Sequence, residues 1–148
     1  MKINKETILK QIIARKSIEY AAKDLGINTP EVYFCNQNIF PNEHITSMFL
    51  PGEYAIIIGE RWLTESNIQD IIMTSFHEIR HAYQMNQIKK YNEGKKTREK
   101  QETVCVWKKE FAKYCQPKSQ FKEDEYISQD IEKDAVHYSK KLASEMIL

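Results

Sequence analysis

Residues 74–84 read TSFHEIRHAYQ and place two histidines, His77 and His81, four positions apart, with Glu78 directly after the first. In a chain of this length and composition, only about 0.01 chance matches to H-E-x-x-H are expected. On a helix, which turns by about 100° per residue, the two imidazoles would lie about 40° apart on one face. Imidazoles spaced in this way can share one Zn²⁺, and the glutamate beside them can act as a base. The stretch therefore predicts a metal-binding helix.

The surrounding residues also favour a helix. Ser66 followed by Gln69 has the spacing of a capping box, and the apolar periodicity predicts a helix from about 67 to about 90. Its apolar residues would lie between about 180° and 260° from the first histidine: Ile68, Ile72, Phe76, Ile79 and Tyr83. The histidines would then lie nearly opposite the core-facing stripe. Their placement fits either a functional site or an exposed polar face.

Upstream of this helix, residues 4–25 predict another one. Asn4 can cap its beginning, and Gly26 can end it. The expected apolar stripe consists of Ile8, Leu9, Ile12 and Ile13.

Short β-prone runs separate the two helices. Residues 31–35 read EVYFC, and the runs 45–50 and 54–58 flank Pro51 and Gly52, which suit a type II turn. We expect the last two runs to form a hairpin.

Two further helices are expected downstream. The segment 89–116 is first charged and then aromatic, and it predicts an inserted helix over about 98–115. The last helix should begin near Ser128, with its apolar stripe formed by Ile131, Ala135, Tyr138, Leu142 and Met146. No internal repeat or long linker is present, so residues 1–148 predict one domain.

Composition argues against some partners and locations but does not identify a function. The net charge is +1, and the basic residues of 89–100 alternate with Glu93 and Glu99, so nucleic acid is an unlikely partner on sequence grounds. No apolar run is long enough to span a bilayer. Three widely spaced cysteines and a charged beginning predict a cytoplasmic protein with reduced thiols. The sequence does not indicate an oligomeric state.

Two histidines do not complete a catalytic zinc site, which needs three protein ligands and an open position. Gln84 and Gln87 occupy the positions where a metzincin would have glycine and a third histidine. The stretch 128–139, SQDIEKDAVHYS, offers two carboxylates instead. Glu132 is the first candidate for the third ligand, and Asp134 is the competing one.

The pair of motifs HEIRH (77–81) and EKDA (132–135) resembles a minimal gluzincin-type zincin metallopeptidase, loosely of the ImmA/IrrE type. That family pairs H-E-x-x-H with a downstream E-x-x-A. The resemblance implies that His77, His81 and Glu132 bind Zn²⁺ and that Glu78 is the general base. The family usually has Asn or Asp after the alanine, where this chain has Val136.

The fold expected from this resemblance is α+β, with a short antiparallel sheet packed against several helices and the H-E-x-x-H helix at the centre. The run 54–58 resembles the edge strand that zincins place beside this helix, where it would bind an extended peptide by strand addition. The expected function is hydrolysis of a peptide bond in a protein or peptide substrate. The alternative is a non-catalytic zincin-like module that binds a partner and holds a structural zinc.

Several other side chains are weaker candidates. His137 could assist at the site, and His44 lies in a predicted loop. Four tyrosines could stabilise a developing oxyanion, although the pattern favours packing for the first and last of them: Tyr83, Tyr91, Tyr126 and Tyr138. Trp62 and Trp107 are expected to be packing residues.

Overall fold

The structure, a computed structural model, describes residues 4–114 and 129–146. Within these ranges the fold is α+β, as predicted. No helix in this part of the chain is both long and apolar enough to cross a membrane. The helices are α1 (Lys5–Leu25), α2 (Glu60–Glu65), α3 (Ile68–Asn92), α4 (Gln101–Tyr114) and α5 (Asp130–Met146). The strands are β1 (Glu31–Cys35), β2 (Ser47–Leu50) and β3 (Ala55–Gly59), with one 3₁₀ turn at Gln37–Ile39.

The sheet is mixed, and this corrects the expectation of an antiparallel sheet. Its strand order is β1-β3-β2. β1 runs parallel to β3, with Val32 opposite Ile56, and β2 runs antiparallel to β3, with Phe49 opposite the same residue. β3 is therefore the central strand and not an edge strand. All five of its residues are buried, as an unbroken apolar run such as AIIIG allows. The edge strand beside α3 is β2.

The hairpin between β2 and β3 is confirmed, but its turn differs from the predicted type. The amide of Tyr54 donates to the carbonyl of Pro51 at 3.3 Å, so Gly52 and Glu53 are the central residues. Tyr54 has φ 49°, and Gly52 does not have a positive φ. The left-handed residue thus follows the turn, which disagrees with a type II turn centred on Pro51 and Gly52.

Helix α3 lies at the centre of the fold and packs against α1, α4, α5 and β2. Its N-cap is Asn67, whose side chain accepts a hydrogen bond from the amide of Asp70 at 2.8 Å; the predicted cap, Ser66, instead ends α2. Two of its faces are buried. One carries Phe76, Ile79 and Tyr83, and the other carries Glu78, His81 and Gln84. Of the two alternatives for this face, an exposed polar surface is therefore wrong, because α5 packs over it.

Helix α1 has the predicted bounds and caps but faces a different way. Asn4 accepts a hydrogen bond from the amide of Thr7 at 2.7 Å, and Gly26 has φ 68°. The predicted stripe is mostly exposed, since Ile8, Leu9 and Ile12 are each about half accessible. The buried face consists largely of small residues, which pack against α3: Ala14, Ser17, Ile18, Ala21, Ala22 and Leu25. The alanines are weak hydrophobic signals in a sequence, which explains the error.

Helix α4 positions the beginning of α5. Two amides at the start of α5, those of Asp130 and Ile131, donate to the carboxylate of Glu110 at 2.9 and 2.8 Å. A carboxylate at a helix N-terminus satisfies free amides and complements the helix dipole. The predicted apolar stripe of α5 is largely buried, although its last residue, Met146, is exposed.

The orientation of α1 can be tested with two isoleucines of the same helix. Ile18 is fully buried, whereas Ile12 is 47% exposed. Ile18→Ala should lower the free energy of unfolding by about 2–5 kcal/mol, because it leaves a cavity against α3. Ile12→Ala should cost less than about 1 kcal/mol. Urea unfolding followed by circular dichroism measures both. A larger loss for Ile12→Ala would show that α1 presents the opposite face to α3.

Candidate metal centre

Three side chains from two helices converge on one point. The Nε2 atoms of His77 and His81 lie 3.2 Å apart. The carboxylate of Glu132 lies 2.9 Å from Nε2 of His77 and 3.1 Å from Nε2 of His81. The two histidines come from the middle of α3, and Glu132 comes from the first turn of α5. The structure thus brings together the three residues that the sequence indicated as ligands.

The spacing of these atoms fits a tetrahedral zinc site. Zinc–ligand bonds of about 2.0–2.1 Å at tetrahedral angles separate the ligand atoms by about 3.3 Å. The observed separations are close to this value: 3.2 Å between the two Nε2 atoms, 2.9 Å from Nε2 of His77 to Oε2 of Glu132, and 3.1 Å from Nε2 of His81 to Oε1 of Glu132. Two imidazole nitrogens and one carboxylate oxygen also form a donor set that catalytic zinc sites use. The residues present therefore fit a zinc ion.

Charge at the cluster favours a cation. Glu132 is only 5% exposed and Glu78 only 4%, so two carboxylates are buried beside two imidazoles. Buried charges need a compensating partner. Burial lowers the pKa of His81, but the hydrogen bond and charge of Glu132 and the charge of Glu78 together raise it to about 9. Burial raises the pKa of Glu132, but its hydrogen bonds with the two histidines hold it well below its usual range.

Glu78 occupies a different position from the three converging groups. Its carboxylate lies with the ring nitrogens of His77 and His81 in a group whose atoms are all within 4.8 Å of one another. The hydroxyl of Ser47, at the beginning of β2, donates to Oε2 of Glu78 at 3.1 Å. Glu132 rather than Glu78 is within hydrogen-bond distance of both Nε2 atoms, which makes Glu132 the stronger candidate for the third ligand.

A small cavity adjoins this cluster. It measures about 10 Å³ and is lined by three apolar residues, Phe49, Phe111 and Ile131, together with Glu78, His81 and Glu132. A cavity of this size is near the minimum that one water molecule needs. Glu78 is therefore placed to contact a water beside the candidate ligands.

Asp134, the competing candidate for the third ligand, faces another direction. Its carboxylate accepts two hydrogen bonds from the guanidinium of Arg80, at 2.7 and 3.1 Å. The guanidinium carbon lies 4.5 Å from the ring centre of Tyr83 and 4.8 Å from that of Tyr138. Asp134 thus belongs to a partly buried ion pair behind the cluster.

Sequence reasoning missed the groups that support the cluster. Gln84 is fully buried, and its Oε1 lies 2.9 Å from Nδ1 of His81. No sequence pattern indicated Ser47 or Arg80. A polar residue three positions after a ligand histidine, on the same helix, was the only available signal for Gln84. The contacts of Ser47 and Arg80 join positions 31 and 54 residues apart, which a local pattern does not reveal.

The remaining candidates lie away from the cluster. His44 and His137 are exposed. The second of them lines a charged cleft of about 390 Å³ that also contains Arg80 and Asp134. This cleft is larger than the cavity beside the histidines but does not contain the three converging residues. Trp107 is buried, and Trp62 is half-buried against the core.

Three of the four tyrosines are engaged elsewhere. The hydroxyls of Tyr83 and Tyr138 donate to Glu99 and Asp24, at 2.6 and 2.8 Å. Tyr91 accepts a contact from the thiol of Cys105 at 3.2 Å. Tyr126 lies outside the described residues. The geometry assigns none of the three described tyrosines to an oxyanion.

Comparison with known proteins finds no protein-family model, curated protein or solved structure that matches this chain. The geometry and chemistry of the cluster are what support a candidate metal centre.

Removal of the third ligand should weaken metal binding. We expect wild type to bind about one Zn²⁺ per chain. Glu132→Ala should lower the zinc affinity by about 100-fold or more, because the loss of an outer-shell contact alone lowers metal affinity by about 10–100-fold. Chelator competition and elemental mass spectrometry measure this. Asp130→Ala, an exposed residue of the same helix turn, is the matched control and should keep wild-type affinity. Equal affinity in both variants would exclude Glu132 as a ligand.

Proposed function

We propose that this protein is a zinc-dependent peptidase of the zincin type, with His77, His81 and Glu132 as ligands and Glu78 as the general base. The observation that carries the proposal is the convergence of three ligand atoms beside a buried fourth side chain, Glu78, which is not needed to complete the ligand set. A zinc ion bound there would acidify a water molecule and polarise a carbonyl oxygen.

The role of Glu78 follows from its contacts. Ser47 donates to Oε2, which fixes the carboxylate and leaves Oε1 for a water molecule. In peptide hydrolysis Glu78 would remove a proton from the attacking water and then deliver it to the leaving amine. Burial of the carboxylate beside the apolar residues Phe49 and Phe111 excludes bulk water from this proton transfer.

The edge of the sheet supports a proposed position for the substrate. An extended peptide binds by adding a strand to a free sheet edge. β3 is paired on both sides and cannot accept a peptide, so the strand proposed for this role changes from residues 54–58 to β2. β2 packs against α3 and carries Ser47 at its beginning. A peptide along β2 would pass beside Glu78 and the candidate ligands.

The alternative of a non-catalytic module with a structural zinc is less well supported. A purely structural site needs only its ligands, and a buried carboxylate that is not a ligand would cost stability without benefit. Glu78 instead accepts a hydrogen bond from the neutral hydroxyl of Ser47, so its carboxylate is held beside the candidate ligands without being one of them.

The charged region after α3 does not favour nucleic acid as the partner. Lys95 forms an ion pair with Glu93 at 3.0 Å, so part of the positive charge is neutralised locally. A protein or peptide substrate remains the proposed partner.

Glu78→Gln should separate metal binding from hydrolysis. We expect zinc content to stay at the wild-type level and the cleavage rate to fall by about 10²–10⁴-fold, because the amide cannot accept the proton. The probe is a mixture of unstructured peptides, with new amino termini identified by mass spectrometry. Glu65→Gln, an exposed glutamate at the end of α2, is the control.

The outcomes distinguish the two functions. Unchanged cleavage by Glu78→Gln would refute its role as the base. Zinc binding by wild type without any cleavage would favour the structural module.

A further inference from the structure

We infer that Gln84 is a positioning residue that fixes the tautomer of His81, so that Nε2 is the nitrogen presented to the metal. We also infer that α5 determines this choice through the main-chain carbonyl of Ile131. The inference rests on the metal-binding part of the proposed function and adds a mechanism by which the site is set up.

The argument starts from groups that can only accept hydrogen bonds. Nε2 of Gln84 lies 3.0 Å from the carbonyl oxygen of Ile131 and 2.8 Å from Oδ2 of Asp134. A backbone carbonyl has no proton to donate, and neither does a carboxylate paired with a guanidinium. The amide group of Gln84 must therefore point its NH₂ toward these two acceptors. A flipped amide would place oxygen against oxygen at both contacts.

The orientation of the amide then determines the proton on His81. With NH₂ directed toward α5, the oxygen Oε1 faces Nδ1 of His81 at 2.9 Å. An amide oxygen can only accept, so Nδ1 must carry a proton. In the neutral imidazole, which is the form that binds metal, a proton on Nδ1 leaves the lone pair on Nε2. Nε2 is the atom that faces His77 and Glu132.

A second ion pair holds this arrangement in place. Arg80 donates two hydrogen bonds to Asp134 and packs against two tyrosine rings, so the carboxylate that accepts from Gln84 is itself fixed. Ligand histidines are commonly oriented by a carboxylate or a carbonyl through their second nitrogen. Here the carboxylate of Asp134 does not contact the imidazole of His81. The neutral amide of Gln84 lies between them and contacts both.

The arrangement couples two events at the beginning of α5. Ile131, whose carbonyl orients Gln84, directly precedes Glu132, the third ligand. Docking of one helix turn therefore both delivers a ligand and sets the tautomer of a second ligand on α3. Glu110, which accepts from the amide of Ile131, holds the same turn from α4.

The test compares two glutamines of one helix. Gln84→Met removes the amide at nearly constant volume and should weaken zinc binding by about 10–100-fold, measured by chelator competition. Gln87→Met is the matched control. Gln87 is equally buried, three residues further along α3, and its Oε1 accepts from the amides of Arg98 and Glu99, so it does not contact the cluster. Its zinc affinity should stay within about 3-fold of wild type.

A spectroscopic measurement separates positioning from general destabilisation. In long-range ¹H–¹⁵N spectra, the Nδ1 proton of His81 should be protected from exchange in wild type and in Gln87→Met. It should be lost or exchange rapidly in Gln84→Met. Equal losses of zinc affinity in the two variants, or zinc bound through Nδ1 of His81 in wild type, would overturn the inference while the peptidase proposal survives.

Failure of the proposed function would be visible separately. If wild type binds zinc through Nε2 of His81 but cleaves no peptide, the peptidase proposal is refuted and the inference is supported. If wild type binds no zinc, the inference is overturned together with the proposal, because Nε2 then has no metal to bind.

Discussion

The packing of the first turn of α5 against the polar face of α3 is the constraint on which the rest of the structure depends. It places the carboxylate of Glu132 between two imidazoles, at 2.9 and 3.1 Å. A buried carboxylate without a partner costs several kcal/mol, so the two helices are favoured only in the register that makes this contact. A shift of α5 by one residue would rotate its side chains by about 100° and remove the pairing. The polar cluster thus specifies one alignment of two helices that apolar packing alone would leave less well defined.

The same helix, α3, carries both the hydrophobic core and the candidate site. Phe76 and Tyr83 face α1 and α4, while His81 and Gln84 face α5. Each buried polar group on the second face has a partner of matching chemistry, which is the condition under which such groups can be buried. Gln84 joins α3 to α5, and Gln87 joins it to the loop before α4. Gln84 therefore supports the candidate site, and Gln87, about one turn further along α3, supports the surrounding fold.

The sheet contributes to the site through its edge. β3 pairs with β1 on one side and with β2 on the other, so β2 is an edge strand. β2 also packs beside α3. Its first residue, Ser47, contacts Glu78, so the strand that would bind a peptide also holds the proposed base. In the proposed peptidase, peptide binding and proton transfer would thereby be linked by a single hydrogen bond between the sheet and the central helix.

The sequence by itself determined the local features: the four long helices, their approximate ends, the β2–β3 hairpin and the two histidines on one helix face, because each depends on residues close in the chain. It did not indicate the short helix α2. It also indicated Glu132 as a candidate ligand, through the resemblance of two short motifs. Only the tertiary structure decided which strand is central, which face of α1 is buried, that Asp134 pairs with Arg80, and that Gln84 orients His81. These features depend on contacts between residues far apart in the chain, and the energy of burying a polar group is set by the partner that the fold supplies.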